Sequence, residues 1–387
     1  MSKENALIKI LIITTSWGDF SDSHSIRIKN LFSIFNKNNS KIHIVYPGEQ
    51  VNKSNDLNLF EHNVKLNTIF NLINRCKKYR KIYLIMLNIY RRIYGDIFSG
   101  LSNNLFKRAL LIDENFDFVI SCSGSIEGHV AAYKYSVDMN IHHIMDYGDP
   151  IYPLIRNAKK NTFEIERIMC DKAKLVLFTT NSTLDQYKKD INSICGEVFY
   201  YGCLAVALKK KILLVNDKID ISYVGTAFTN DRNLMPLFTA VNKYKEKFNI
   251  ILAGRMSRSF FNYIESQKIG KYYGIVDYNT SLNLQLNADL NIIVGNYDGR
   301  QLPGKVFIGL SINVPILYLK QSGETYDEAY ELLKQFESVY IINNDIHSCE
   351  NFLHEFKLTY QEINRDINEL TCENISERLY KTLCKLK

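Results

Sequence analysis

Short apolar runs alternate with longer segments of helical spacing along this chain, and that alternation limits the fold more than any other feature. Parallel strands need a crossover between them, normally a helix, so a repeating strand-helix order predicts α/β layers built on parallel sheets. The first half offers strands at IKILIITT (8–15), KIHIVYP (41–47), FDFVISC (116–122), IHHIMDY (141–147), KLVLFTT (174–180) and GEVFYYG (196–202). Helices are expected near 23–37, 126–138, 160–171 and 182–190, while 68–110 reads as mainly helical and breaks the alternation. The second half repeats the pattern with ISYVG (221–225), FNIILAG (248–254), KYYGIV (271–276), ADLNIIVG (288–295), VPILYL (314–319) and SVYIIN (338–343).

A chain of 387 residues exceeds one ordinary core. The polar stretch KKKILLVNDK (209–218) is the natural break between two doubly wound, Rossmann-like domains. The division read here is 1–205, a linker at 206–218, a second domain at 219–365, and a strand-free tail of helical spacing at 366–387. Such pairs of domains bind ligands in the cleft between them, at the carboxyl ends of the strands.

With 46% hydrophobic and 23% charged residues the chain belongs with soluble globular proteins rather than disordered ones. A net charge of +7 permits an anionic membrane surface or a phosphorylated ligand without demanding nucleic acid. The eight cysteines form no C-x-x-C pair, which suggests reduced thiols rather than a disulfide frame or zinc site. The N-terminal apolar run is broken by Lys9 and reads as a first strand, not a signal peptide. The longest apolar run elsewhere, IYLIMLNIY (82–90), falls well short of the ~20 residues that span a bilayer. The expectation is a cytoplasmic protein.

The loops after the strands carry the candidate chemistry. In TSWGDFSDSHSIRIKN (15–30), Gly18 permits a tight turn; the loop is either a cap and turn or a ligand-facing segment. It is not a G-x-G-x-x-G fingerprint, which disfavours a nicotinamide or flavin cofactor. His129 follows the strand ending at 122; it is either a structural residue or a group that takes a proton from, or donates to, a sugar hydroxyl. Asp146 and Asp149 follow IHHIMDY; each is either turn chemistry or a carboxylate for an acceptor hydroxyl, with Asp149 the stronger functional candidate. In the second half Gly225, Arg232, Gly254, Arg255 and Arg258 sit in loops after strands, where guanidinium groups suit a diphosphate. GRQLPGKVFIGL (299–310) adds a third anion contact. Pro303 suits a first helical position, so the amides of Gly304, Lys305 and Val306 are expected to point outward beside the Lys305 ammonium.

One segment stands apart. RCKKYRKIYLIMLNIYRR (75–92) has seven basic residues, Arg75, Lys77, Lys78, Arg80, Lys81, Arg91 and Arg92, and no acidic one. It is either a solvated helix packed by its apolar face or a surface for anionic lipid, and the two are compatible.

The order of elements, YYG at 200–202, the ISYVG strand and ADLNIIVGNYDGRQLPGKVFIGLSINVPILYL resemble GT-B glycosyltransferases of the retaining GT4 type. The resemblance covers nearly the whole chain in layout, with its specific motifs within 221–319. It implies transfer of a sugar from a nucleotide-sugar, UDP favoured, to a hydroxyl of a cell-envelope glycan or lipid-linked acceptor, with retention and without a metal or other cofactor. The donor diphosphate would be held by Lys305 with Arg232 or Arg255. Gly18 would face the donor, His129 would stand near the transferred sugar, and the tail helix would pack back on the N-terminal domain. Work at the inner membrane face fits the basic segment, and no nucleic-acid partner is expected.

The chain also departs from the family pattern. Two glutamates eight positions apart are usual there, the second contacting the ribose; the matching positions are Arg300 and Ile308. Isoleucine accepts no hydrogen bond, so Asp298 or Gln301 takes over, or donor binding is altered. An epimerase or hydrolase on the same scaffold, and a non-catalytic binding subunit, are the alternatives. No D-x-D motif occurs, as a GT-A enzyme would carry.

Overall fold

The computed structural model describes residues 7–18, 23–48, 59–64, 79, 82, 85–86, 89, 97–122, 124–148, 160–204, 218–321, 326–358 and 363–387. The chain divides into two compact units, Met1–Tyr201 with Glu373–Lys387, and Gly202–Cys372. The crossings between them are tied in the second unit, where Cys203 N–H donates to Leu370 O at 2.6 Å and Cys372 N–H donates to Cys203 O at 2.8 Å. That tie carries the second unit to residue 372, beyond the break read at 365.

Among the described residues, the first unit runs β1 (Ile8–Ile13), α1 (Ser23–Leu31), β2 (Ser40–Pro47), β3 (Leu59–Val64), α2 (Ile97–Leu110), β4 (Phe118–Cys122), α3 (Ile126–Met139), β5 (His142–Asp146), α4 (Lys160–Lys172), β6 (Leu175–Phe178), α5 (Asn181–Asp190) and β7 (Gly196–Val198). Its seven strands lie parallel in the order β3-β2-β1-β4-β5-β6-β7. The second unit runs β8 (Ile219–Val224), α6 (Met235–Lys243), β9 (Phe248–Ala253), α7 (Arg258–Gln267), β10 (Gly270–Tyr272), α8 (Tyr278–Asn287), β11 (Leu290–Val294), α9 (Lys305–Ser311), β12 (Ile316–Lys320), α10 (Glu328–Leu333), β13 (Val339–Asn343) and α11 (Ile346–Glu355). Its six strands are also parallel, in the order β10-β9-β8-β11-β12-β13.

Each sheet reverses strand order once, between β1 and β4 and between β8 and β11. Helices diverge at such a switch point and open a crevice beyond the strand ends. The strands beside it are buried throughout in β4 and β11, as expected of parallel strands covered on both faces. The final helix, α12 (Cys372–Leu386), places Ile375, Leu379 and Leu383 in the first unit's core with Ile10, Ile28 and Phe35. The spacing of four keeps those three on one helical face.

Local chemistry explains several helix starts. Thr180, Asp277, Asp327 and Asp345 each accept a backbone N–H from the first turn of α5, α8, α10 and α11. The strand absent from the sequence reading is β3. LFEHNV has little apolar alternation, but its ladder with β2 and the stacking of Phe60 on His43 hold it at the sheet edge. No helix among the described residues is long and apolar enough to cross a membrane.

Candidate active site

The second unit's switch point gathers cations. β8 carries Tyr223 and is followed directly by Gly225, whose φ is +141°. β11 feeds a loop that leads to α9, and the first residue of α9 is Lys305. The lysine is half-buried, with its ammonium enclosed: Nζ donates to the Tyr223 hydroxyl at 3.1 Å and lies 4.4 Å from the centre of that ring. The Tyr223 hydroxyl donates in turn to Thr226 O at 2.7 Å.

Two glycines make the room. A Cβ on Gly225 would stand 1.8 Å from Lys305 Nζ, and one on Gly254 would stand 2.2 Å from Gly225 O. Gly254 also holds a φ of +113°, a region L side chains rarely adopt. The ends of β8 and β9 and the lysine therefore converge only because side chains are missing.

Loss of water around the ammonium, then the Arg232 cation, push the Lys305 pKa down to about 7, with Asp231 acting the other way. Arg232 is itself in the left-handed region, φ +56°, a conformation costing on the order of 1 kcal/mol that the surroundings must impose. Its Nη2 and Nε donate to Asn296 Oδ1 at 2.6 and 3.2 Å, and Nη1 lies 3.6 Å from Asp231 Oδ2. Asn296 Nδ2 reaches Gln301 O at 3.4 Å. Arginine, asparagine and the loop before α9 thus form one linked unit beside Lys305. Two cations facing a single half-exposed carboxylate make a site short of negative charge, which a diphosphate would supply.

The structure separates the sequence candidates. Lys305, Gly225 and Arg232 come together. Arg255 does not join them: its side chain is exposed, while its carbonyl accepts from Ala227 N–H at 3.0 Å. Asp298 is engaged by Arg300, with Nε to Oδ1 at 2.8 Å and Nη2 to Oδ2 at 2.6 Å, so the two charges balance each other. Gln301 donates its N–H to Asp298 O at 3.1 Å and is half-buried in the same loop. Gly299 braces that loop, its carbonyl accepting from Glu328 N–H at 2.8 Å.

The expected fan of outward amides is corrected at Val306. The helix begins at Lys305, not Pro303, and spans seven residues with Gly304 as its cap. Val306 N–H turns back to Pro303 O at 3.0 Å, and Phe307 N–H to Gly304 O at 3.2 Å. The Val306 amide is therefore satisfied within the turn, and the cations gathered here are side chains. Arg365 secures the other end of α9, donating to Ile312 O at 2.8 Å, Val314 O at 3.0 Å and Gly309 O at 3.3 Å.

In the first unit, Gly18 has a φ of +89° beyond β1, as a tight turn there requires. His129 lies in the interior, which is at odds with a catalytic role at the strand-end loop. Helix phase turns it onto the sheet, where Nδ1 bonds Ser121 Oγ at 2.7 Å and the ring packs on Tyr147. Ser121 Oγ also meets His143 Nε2 at 2.9 Å, and burial pushes that histidine down to about 3. Asp149 lies outside the described residues, as do Arg75, Lys77, Lys78, Arg80, Lys81, Arg91 and Arg92. Tyr223 and Asn296 were missed by the sequence reading. The signals were present, a polar aromatic within a buried strand and an asparagine directly after one.

No protein-family model matches the chain, and no curated protein matches it in sequence. Solved structures do. HepE (Alr3699) of Anabaena, in complex with UDP-glucose, aligns over 98% of this chain and 100% of its own, with TM-score 0.68 at 9% identity. A glycosyltransferase from Rickettsia africae aligns over 98% and 99%, with TM-score 0.63 at 14% identity. The lipopolysaccharide outer core galactosyltransferase WaaB aligns over 97% and 99%, with TM-score 0.58 at 12% identity. At these identities the likeness establishes architecture, and with the two switch-point sheets it identifies the chain as a two-domain α/β protein of the GT-B fold.

Proposed function

We propose that this chain is a glycosyltransferase that takes a sugar from a nucleoside diphosphate sugar, UDP favoured, and passes it to a hydroxyl. The observation that carries the reading is the convergence of Lys305 and Arg232 beside the side-chain-free wall of Gly225 and Gly254. As the bond between sugar and diphosphate breaks, negative charge grows on the departing phosphate. Fixed cations in a dehydrated niche stabilise that charge without reorganising. Tyr223 holds the ammonium in place, and Asn296 holds the guanidinium. Retention at the anomeric carbon and independence of a metal are part of the proposal.

The nucleobase end has a fitting surface nearby. Gly254 N–H donates to Gly274 O at 2.7 Å, and Tyr273 and Ile275 are exposed on either side of Gly274. An aromatic and an aliphatic group so placed suit a flat base.

The acceptor is proposed to be a cell-envelope glycan or lipid-linked sugar met at an anionic membrane surface. Within the basic segment the described side chains Tyr79, Ile82, Ile85 and Ile89 are 62, 51, 60 and 51% exposed, at the spacing of one helical face. Apolar groups left in water among seven basic residues and no acidic one suit a headgroup boundary. Co-sedimentation with phosphatidylglycerol vesicles is expected, with little binding to phosphatidylcholine vesicles or at high salt. Equal recovery with both lipids would remove the membrane from the proposal.

The test of the main reading is transfer of label from radiolabelled UDP-sugars into detergent-solubilised membrane extract. A labelled glycan or lipid product supports it. A second reading stands on the UDP-GlcNAc 2-epimerase of Methanocaldococcus jannaschii, which shares the architecture with TM-score 0.57 at 13% identity. Free sugar or a C2 epimer without an acceptor product would favour that reading. No binding of UDP, GDP or CMP at millimolar concentration would favour a non-catalytic subunit, for which Ile308 is the motive.

A further inference from the structure

We propose that Arg365 is a positioning residue for the Lys305 ammonium, acting through α9, an inference that rests on the glycosyl-transfer reading. Lys305 has little freedom where it stands. Its Nζ fills space that a single Cβ on Gly225 would claim, while keeping its bond to the Tyr223 hydroxyl. The helix that carries it supplies little rigidity of its own. α9 has seven residues, and its cap, Gly304, has no side chain to satisfy the first amides. Isolated helices shorter than about 12 residues are marginal in water, so α9 is held in place by what surrounds it.

Arg365 supplies the hold at the end of α9 away from the lysine. Its Nη1 donates to Ile312 O at 2.8 Å and Gly309 O at 3.3 Å. Its Nη2 donates to Val314 O at 3.0 Å and Ser338 O at 3.3 Å, and Nε donates to Glu337 O at 3.1 Å. One flat guanidinium thus ties the last turn of α9 and the entry to β12 to the entry to β13. Ser338 has a φ of +54°, a left-handed conformation that persists only where neighbours impose it, and its carbonyl also accepts from Ile316 N–H at 3.0 Å. Ser311, the last residue of α9, is bound as well: Oγ accepts from Leu204 N–H at 2.8 Å and donates to Phe307 O at 2.6 Å.

The chemistry of that grip is specific to arginine. All five acceptors are main-chain carbonyls, including two of those left over where a helix ends. Burial pushes the Arg365 pKa down to about 10, which still leaves it charged. A lysine in its place would bring a point charge without the planar five-donor fork, and could not span both groups of carbonyls. Seven residues of helix extend about 10 Å, so Arg365 and Lys305 grip opposite ends of one short rod. A tilt released at one end moves the ammonium at the other.

The experiment compares wild type with Arg365→Lys and Arg365→Met, and with Ile264→Ala, which trims the core beneath α7 as a control for lost stability alone. UDP affinity is measured by calorimetry at pH 6, and proton uptake on UDP binding at pH 8. At pH 6 Lys305 is charged in every free protein, and both Arg365 variants should bind UDP roughly tenfold more weakly than wild type. At pH 8 a lysine loosened from its niche regains water and returns toward its ordinary pKa, so it is already charged before UDP arrives. Uptake should therefore fall from about one proton in wild type to less than half in both variants, and stay unchanged in Ile264→Ala. Wild-type affinity and uptake in the Arg365 variants would overturn the assignment and leave the transferase reading intact. An uptake lost equally in Ile264→Ala, or failure of both Arg365 variants to fold, would show a purely structural role and also overturn it. A wild-type protein that binds no UDP would instead remove the donor reading on which the assignment stands.

Discussion

The two switch points share a topology and differ in charge balance. In the first unit the buried cation, Arg27, is matched oxygen for nitrogen by Asp146. In the second, Lys305 and Arg232 share one partly exposed aspartate, and the lysine pays with a pKa near 7. Identical strand order therefore sets where a ligand can sit, while the local count of charges sets which ligand it is. The Arg27–Asp146 pair leaves no surplus charge, whereas a pair of cations with one carboxylate suits a diphosphate.

The largest expected effect lies in the balanced pair. Arg27→Ala leaves the Asp146 carboxylate buried and unpaired, and should cost about 3–5 kcal/mol of the first unit's stability in denaturant melts. Arg27→Met with Asp146→Leu should lose much less, because no orphan charge remains. Equal losses in the single and double variants would break the contrast between the two edges.

A smaller effect is expected from Gly225→Ala, which removes neither cation. Its methyl group would occupy the space of Lys305 Nζ, and the backbone there strains any L side chain. UDP affinity should fall roughly tenfold or more, as it should in Lys305→Ala, since one charge-assisted bond is lost in both. The combined variant should be little worse than either, because the same contact is removed once. Additive losses measured by calorimetry would mean that the glycine and the lysine act separately.

The legible part of this molecule was its apolar grammar. Runs such as FDFVISC and ADLNIIVG are buried on both faces and appear as strands, whereas LFEHNV holds its place by pairing and stacking and has no apolar run to announce it. Lys305 was legible because a charged residue between two strand candidates had little structural purpose. Its niche was not, since Tyr223, Gly225 and Gly254 meet the lysine only after β8, β9 and β11 align. His129 reverses the ordinary inference. Position in a post-strand loop favoured His129, but half a helical turn decides whether a side chain faces water or sheet, and sequence does not resolve that phase.

The most direct test of the central claim is the proton balance of UDP binding, measured by calorimetry at pH 8 in buffers of different ionisation enthalpy. Free Lys305, with a pKa near 7, is mostly neutral there, and a bound diphosphate favours its charged form. Binding should therefore take up about one proton per site, and affinity should weaken as pH rises above 7 by up to about tenfold per unit. Lys305→Ala should bind more weakly and take up none. Equal binding heats in every buffer, or an uptake that survives in Lys305→Ala, would contradict the account.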